Sequence, residues 1–331
     1  MNFSKLVIVA ALLCGVAPAA YAARAQAARA PQLQVDTVND VKLAPNLARG
    51  AQGAAVLRAQ ILLDRARFSV GEIDAAFGTN MTRAVAAFQK SLGLEPSGKL
   101  DAPTWEALNR EGATVLTSYR IAEGDIAGPF VTVPSDMMEK SKLPALGFAS
   151  PLEALAERFH VNPQLLQRLN RGQDFSRAGD EIIVPNIDGA GALPKAAKIV
   201  VSKSDGSVSV VDSSGRTLAR FPATTGSEHD PLPVGTWKVN GVARNPPFHY
   251  NPKLFWDADP GHAKAKIAPG PNNPVGVVWI DLSKAHYGIH GTPEPARIGK
   301  TQSHGCIRLT NWDALALAQA VAPGTPAILQ E

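Results

Sequence analysis

Near its C-terminal end the chain reads Tyr287-Gly288-Ile289-His290-Gly291-Thr292, and shortly afterwards Ser303-His304-Gly305-Cys306-Ile307-Arg308-Leu309. A cysteine is a strong nucleophile as thiolate, which requires an adjacent base or positive charge. Histidine is the natural base near neutral pH. On an extended backbone His304 and Cys306, two positions apart, face the same side. His290 reaches Cys306 only if its strand neighbours that of the cysteine. Gly305 has no side chain, so a substrate carbonyl can approach the backbone, where the N–H groups around Gly305 and Cys306 would stabilise an oxyanion. Arg308 adds a planar donor suited to a carboxylate. These residue types in this pattern point to acyl transfer through a cysteine ionised at rest.

Other chemistries fit less well. Two His and one Cys also form a zinc set, but zinc explains neither Ser303 and Gly305 nor the cation of Arg308, so no metal is expected. Gly299-Lys300-Thr301 resembles the end of a phosphate-binding loop, yet Glu294 stands where that motif requires glycine. His160, His229, His249, His262 and His286 are read as structural. Cysteine acyl transfer needs no cofactor, and none is expected.

The remaining elements must position this segment. With 331 residues the chain is long enough for two or three domains. Hydrophobic content of 45% and charged content of 19% exclude disorder for most of it. A formal charge of +4, spread along the chain, offers no nucleic-acid stripe. At the N-terminus Lys5, the apolar run Leu6 to Val16 and Ala20-Tyr21-Ala22 form a secretory signal peptide over residues 1–22. Its apolar run is too short to span a bilayer, and no integral membrane segment is expected after cleavage. Leu13 before Cys14 speaks against lipidation. Cleavage leaves Cys306 as the sole thiol, unable to form an internal disulfide.

Residues 23–50, rich in Ala with scattered Arg and Pro, are expected to be a flexible leader. Over 51–111, Val56, Leu57, Gln60, Ile61 and Leu63, then Val85, Phe88 and Leu92, then Trp105 and Leu108 after Asp101-Ala102-Pro103-Thr104, give three helices. With Ile73-Asp74, Phe77-Gly78, Thr82, Ala84-Val85, Phe88-Gln89, Gly93-Leu94 and Gly98, this stretch resembles the peptidoglycan-binding type 1 domain. Over 118–187, a strand from Tyr119, two helices (Leu152, Leu155, Ala156 and Phe159, then Leu165, Leu166 and Leu169 after Asn162-Pro163) and a strand ending Val184-Pro185 are similar to a LysM module. That family holds N-acetylated glycan. Residues 127–149, with Pro129, Pro134 and Pro144, depart from the compact family pattern as an insertion.

Residues 188–196 read as a linker, and 197–331 as a mainly-β domain of short strands. Within it the proline-rich stretch 245–274 is long enough to be a lid or binding loop.

His-Gly-Thr followed by Ser-His-Gly-Cys-x-Arg closely resembles the L,D-transpeptidase (YkuD-type) signature, and the likeness extends over about residues 196–331. The resemblance implies Cys306 as nucleophile and His290 as base, oriented by a backbone carbonyl at Gly291. It also implies pocket-shaping roles for His304 and Ser303, a place for Gly305 at the substrate, and Arg308 on the peptide stem. The implied reaction is attack on a peptidoglycan stem peptide, release of D-alanine and transfer of the acyl group to an amine, of another stem or of an envelope protein. Two alternatives use the same residues differently: hydrolysis of the thioester by a carboxypeptidase or a hydrolase of wall-attached proteins, and a non-catalytic wall-binding scaffold. The expected partners are stem peptides and glycan, with no nucleic acid, in the periplasm or cell wall of the exporting cell.

Overall fold

A computed structural model describes residues 33–112, 114–189 and 191–331. The expected signal peptide lies outside the described residues, as does the leader up to residue 32. From Leu33 onward the supposed leader is packed. A short helix α1 (Val35–Asn39) buries Val38 completely. The buried Arg58 donates to the carbonyls of Val38 and Asn39, and the Asn39 amide pairs with the backbone of Val115 and Leu116. Composition suggested flexibility, but the buried Arg58 and the half-buried Asn39 hold this segment down through their hydrogen bonds.

Helices α2 (Ala54–Arg65), α3 (Thr79–Ser91) and α4 (Ala102–Leu108) follow. Asp101 caps α4 by accepting from the Thr104 N–H, with a proline in the first turn. The next region begins with strand β1 (Leu116–Arg120), continues through helices α5 (Met137–Lys140), α6 (Pro151–Arg158) and α7 (Pro163–Leu169), and ends in β2 (Glu181–Pro185). β1 and β2 pair antiparallel, and the Asn170 side chain fixes β2 by bonding both backbone groups of Ile183. Val56, Trp105, Leu155, Leu166 and Val184 belong to one continuous core, so the first two regions are fused rather than strung together.

The C-terminal region contains β3 (Lys198–Ser202), β4 (Ser207–Val211), β5 (Thr217–Pro222), β6 (Gly235–Arg244), β7 (Phe248–Tyr250), β8 (Ala265–Ile267), β9 (Val278–Leu282), β10 (Gly288–His290), β11 (Ile307–Arg308), α8 (Asn311–Ala320) and β12 (Pro326–Gln330). Eight strands form one sheet in the order β11-β10-β9-β6-β12-β3-β4-β5. Its apolar face, with Ile199, Val210, Ile280, Ile289 and Ile307, packs with Ala314 and Leu317 of α8. The proline-rich stretch is not structureless: β7 and β8 pair as a hairpin that holds a loop above the sheet.

All three regions meet at one junction. Phe68 bridges Arg220 on the outer strand β5, covering an otherwise open edge. Ser69 donates to Asp313 of α8 (3.0 Å). His160, from the middle region, pairs with Asp64 of α2 (2.9 Å) and stacks on Trp312 of α8 (5.0 Å between rings).

Candidate active site

β10 and β11 lie side by side in parallel, with Ile289 opposite Ile307 and His290 opposite Arg308. Period-two alternation then sorts the side chains. Ile289 and Ile307 enter the core, whereas His290, Cys306 and Arg308 line a cavity of about 720 Å³ on the other face. The neighbouring strand that sequence spacing could only require is β10, and it brings His290 to the cysteine's side.

The imidazole is held firmly. His290 Nδ1 lies 2.7 Å from the Gly291 carbonyl oxygen. A carbonyl can only accept, so Nδ1 carries the proton and Nε2 of the neutral ring is left as an acceptor. Trp279, its register partner on β9, stacks on the ring at 5.5 Å. Burial, seconded by the Arg308 guanidinium and opposed by the Gly291 carbonyl, pushes the His290 pKa down to about 3.

Cys306 is partly accessible from the cavity, and its Sγ lies 3.7 Å from the His286 carbonyl. Burial raises its pKa; the Gly288 N–H and Arg308 pull the other way, and Asp230 adds to the rise. The resting pair is therefore a neutral thiol beside a neutral imidazole. The resting thiolate expected from sequence is not favoured, because spacing says nothing of how much water the fold removes.

The backbone around the cysteine is built for this arrangement. Gly305 has φ +94°, a left-handed conformation, and a Cβ there would lie 2.8 Å from the Tyr287 ring. Ser303 is buried and donates to the Cys306 carbonyl (2.6 Å), which makes it a fastener of the turn. Arg308 makes no side-chain hydrogen bond or ion pair with any described residue, and its guanidinium borders the cavity. His304 also borders it but turns toward the lid: Nε2 lies 2.8 Å from Asp257, with the Phe255 and Trp256 rings at 5.1 and 5.7 Å.

Asn311 escaped sequence reading, since nothing local distinguishes it from any first residue of a helix. A Cβ on Gly291 or Gly276 would lie about 2 Å from its Oδ1, so both glycines exist to let this amide in. Oδ1 accepts from the Val277 N–H, while Nδ2 donates to Glu157 of α6 and to the Pro271 carbonyl. Asn311 thus ties the His290-Gly291 turn to the base of the lid and to the middle region. Among the described residues, no group of three or more His, Cys, Asp and Glu is placed to hold a metal ion.

A cavity lined by a thiol and a carbonyl-anchored imidazole from a parallel pair of strands, under a hairpin, is suited to acyl chemistry through a cysteine. Residues 196–329 match the family model described as "L,D-transpeptidase catalytic domain", and residues 52–108 match the one described as "Putative peptidoglycan binding domain". The chain is 33% identical over 177 residues to "Putative L,D-transpeptidase YkuD" of Bacillus licheniformis, covering 53% of this chain and 90% of that protein. The protein of the same name in Bacillus subtilis is 29% identical over 175 residues, with the same shares covered. "Probable L,D-transpeptidase YbiS" of Escherichia coli strain K12 is 28% identical over 185 residues, 54% of this chain and 60% of that one. The chain belongs to the L,D-transpeptidase family, whose members are cysteine-dependent acyltransferases acting on peptidoglycan.

Proposed function

We propose that Cys306 and His290 carry the reaction as a proton-transfer pair. The observation that supports this most directly is the Nδ1 bond to Gly291, which leaves Nε2 as the acceptor on the cysteine's side of the sheet. Nε2 takes the thiol proton as Sγ attacks the carbonyl carbon of the donor stem's third residue. The backbone N–H groups beside Gly305 and Cys306 receive the oxyanion. As the C–N bond breaks, the imidazolium returns that proton to the departing amine of D-alanine, and a thioester remains. An acceptor amine then attacks the thioester carbonyl and gives up a proton through His290, and the thiol is restored as an amide forms. Starting from a neutral pair limits exposure of a reactive thiolate to the oxidising compartments outside the membrane. Arg308 receives the stem's carboxylate, which suits a guanidinium that makes no side-chain hydrogen bond or ion pair among the described residues.

The N-terminal helical region is the peptidoglycan-binding part, and residues 118–187 form a LysM-like module on the glycan, in a protein exported to the periplasm or cell wall. Incubation with a tetrapeptide stem and mass analysis of the intact chain tests the chemistry. The expected result is an acyl adduct on wild type and none on Cys306→Ala, with equal melting temperatures. Undiminished turnover by Cys306→Ala overturns the reading. Products formed with and without an added amine separate transfer from hydrolysis.

A further inference from the structure

The insertion at 127–149 does more than lengthen the middle region. Val133, Met137, Met138, Leu143 and Leu146 pack on Phe248, Tyr250, Phe255 and Ile267 of the lid in a hydrophobic cluster separate from the two main cores. The backbones are joined as well: the Leu146 N–H donates to the Pro269 carbonyl and the Asn272 N–H to that of Leu146. A Cβ on Gly270 would lie 2.1 Å from the Leu146 carbonyl oxygen, so the glycine permits this close approach.

Side chains continue the connection toward the thiol. Asp136 accepts from His262 Nε2 (2.8 Å), whose Nδ1 then accepts from the Tyr250 hydroxyl (2.9 Å). The Tyr250 ring meets Phe255 (5.6 Å), and Phe255 meets His304, two residues before Cys306. Ser135, Asp136 and Met137 also line the catalytic cavity.

We propose that residues 133–147 are a working part of the cleft, in which Asp136 acts through His262 as a positioning residue for the lid and Met137 walls the acceptor's approach. A lid held down over the thioester slows water relative to the amine acceptor. The thioester has two fates: an amine yields amide and thiol, whereas water yields carboxylic acid and thiol. The middle region therefore biases the enzyme toward transfer. This rests on the cysteine mechanism proposed above.

The experiment uses the full chain with a tetrapeptide stem donor and a D-amino acid as amine acceptor, measuring kcat, acceptor KM, transfer-to-hydrolysis ratio and melting temperature. Asp136→Ala is expected to raise acceptor KM about tenfold and lower the ratio by a similar factor, with kcat for thioester formation within twofold. Met137→Ala is expected to shift the ratio the same way. Asp136→Asn is expected to restore wild-type values, since its Oδ1 can keep the helix cap to the Glu139 N–H and its Nδ2 can donate to the other tautomer of His262. An unchanged KM and ratio in Asp136→Ala and Met137→Ala overturns the inference. So does a loss that merely follows a fallen melting temperature, or an asparagine variant as impaired as alanine. If wild type forms no acyl adduct, the failure lies instead with the cysteine mechanism.

Discussion

The catalytic cleft and the three-region junction both bury titratable groups, yet they manage charge in opposite ways. In the cleft, His290 and Cys306 have no oppositely charged partner that outweighs burial, so each is driven to its neutral form. At the junction burial also works against charge on His160, but Asp64, aided by Asp313 and Glu157, outweighs it and lifts its pKa. There burial falls on the carboxyls instead: Asp313 and Glu157 are each raised to about 7, with Asp64 and Glu153 adding to the rise and His160 opposing it. Desolvation is common to both places, and the neighbours decide which proton stays. The neutral cleft pair is free to exchange a proton with substrate, while the junction's ion pair serves attachment.

The sharpest test of this difference is His290→Ala, which removes the proton carrier and leaves the junction untouched. A fall in turnover of about 10²–10⁴ is expected, the usual range for a general base. Melting temperature should change little, and kinetics beside a thermal melt check both. Next comes the mirror experiment. His160→Ala leaves Asp64 buried without its partner, a loss on the order of 3–5 kcal/mol by analogy with broken buried pairs. Denaturant unfolding should show it, with kcat per folded molecule intact.

Third is pH. The free enzyme should keep kcat/KM well below the ordinary histidine range, because His290 stays neutral down to about pH 3. An acid limb centred near 6.5 would contradict that. For stability, the unfolded state binds the extra His290 proton between about pH 3 and 6.5, so this group makes stability rise with pH there. Asp313 has the opposite sign. Its folded pKa of about 7 exceeds the unfolded value, so its contribution is lost as pH rises from about 4 through 7. The smallest expected effect is therefore Asp313→Asn, which should flatten the decline between pH 5 and pH 8 by about 3 kcal/mol, since about two pH units lie between pH 5 and the folded pKa of about 7 and each is worth about 1.4 kcal/mol. Stability measured at pH 5 and pH 8 decides it.

Much of this was legible in the chain alone. The spacing of His290, His304, Cys306 and Arg308 with their glycines named the chemistry, and alternating apolar residues named the strands around them. The helices at 54–65, 79–91 and 102–108 followed from periodicity and one Asp-Ala-Pro-Thr start. Composition misled at residues 33–50, where the end of the expected leader is packed through Arg58 and Asn39, contacts that no local signal announces. Strand β9 begins at Val278, after Gly276 at φ +60° turns the chain to admit Asn311. The role of Asn311 was invisible because its neighbours Glu157, Pro271 with Gly276, and Gly291 come from three separate segments.

Residue identity alone determined that Cys306 would have two histidines and a guanidinium close by in sequence, since reactivity is a property of side chains and short-range geometry. Which histidine faces the sulfur, and which is drawn off to Asp257, was decided by the pairing of β10 with β11 and by the lid above them. The protonation of that pair was likewise a tertiary outcome, because it depends on how much water the surrounding fold excludes, a quantity no stretch of sequence contains.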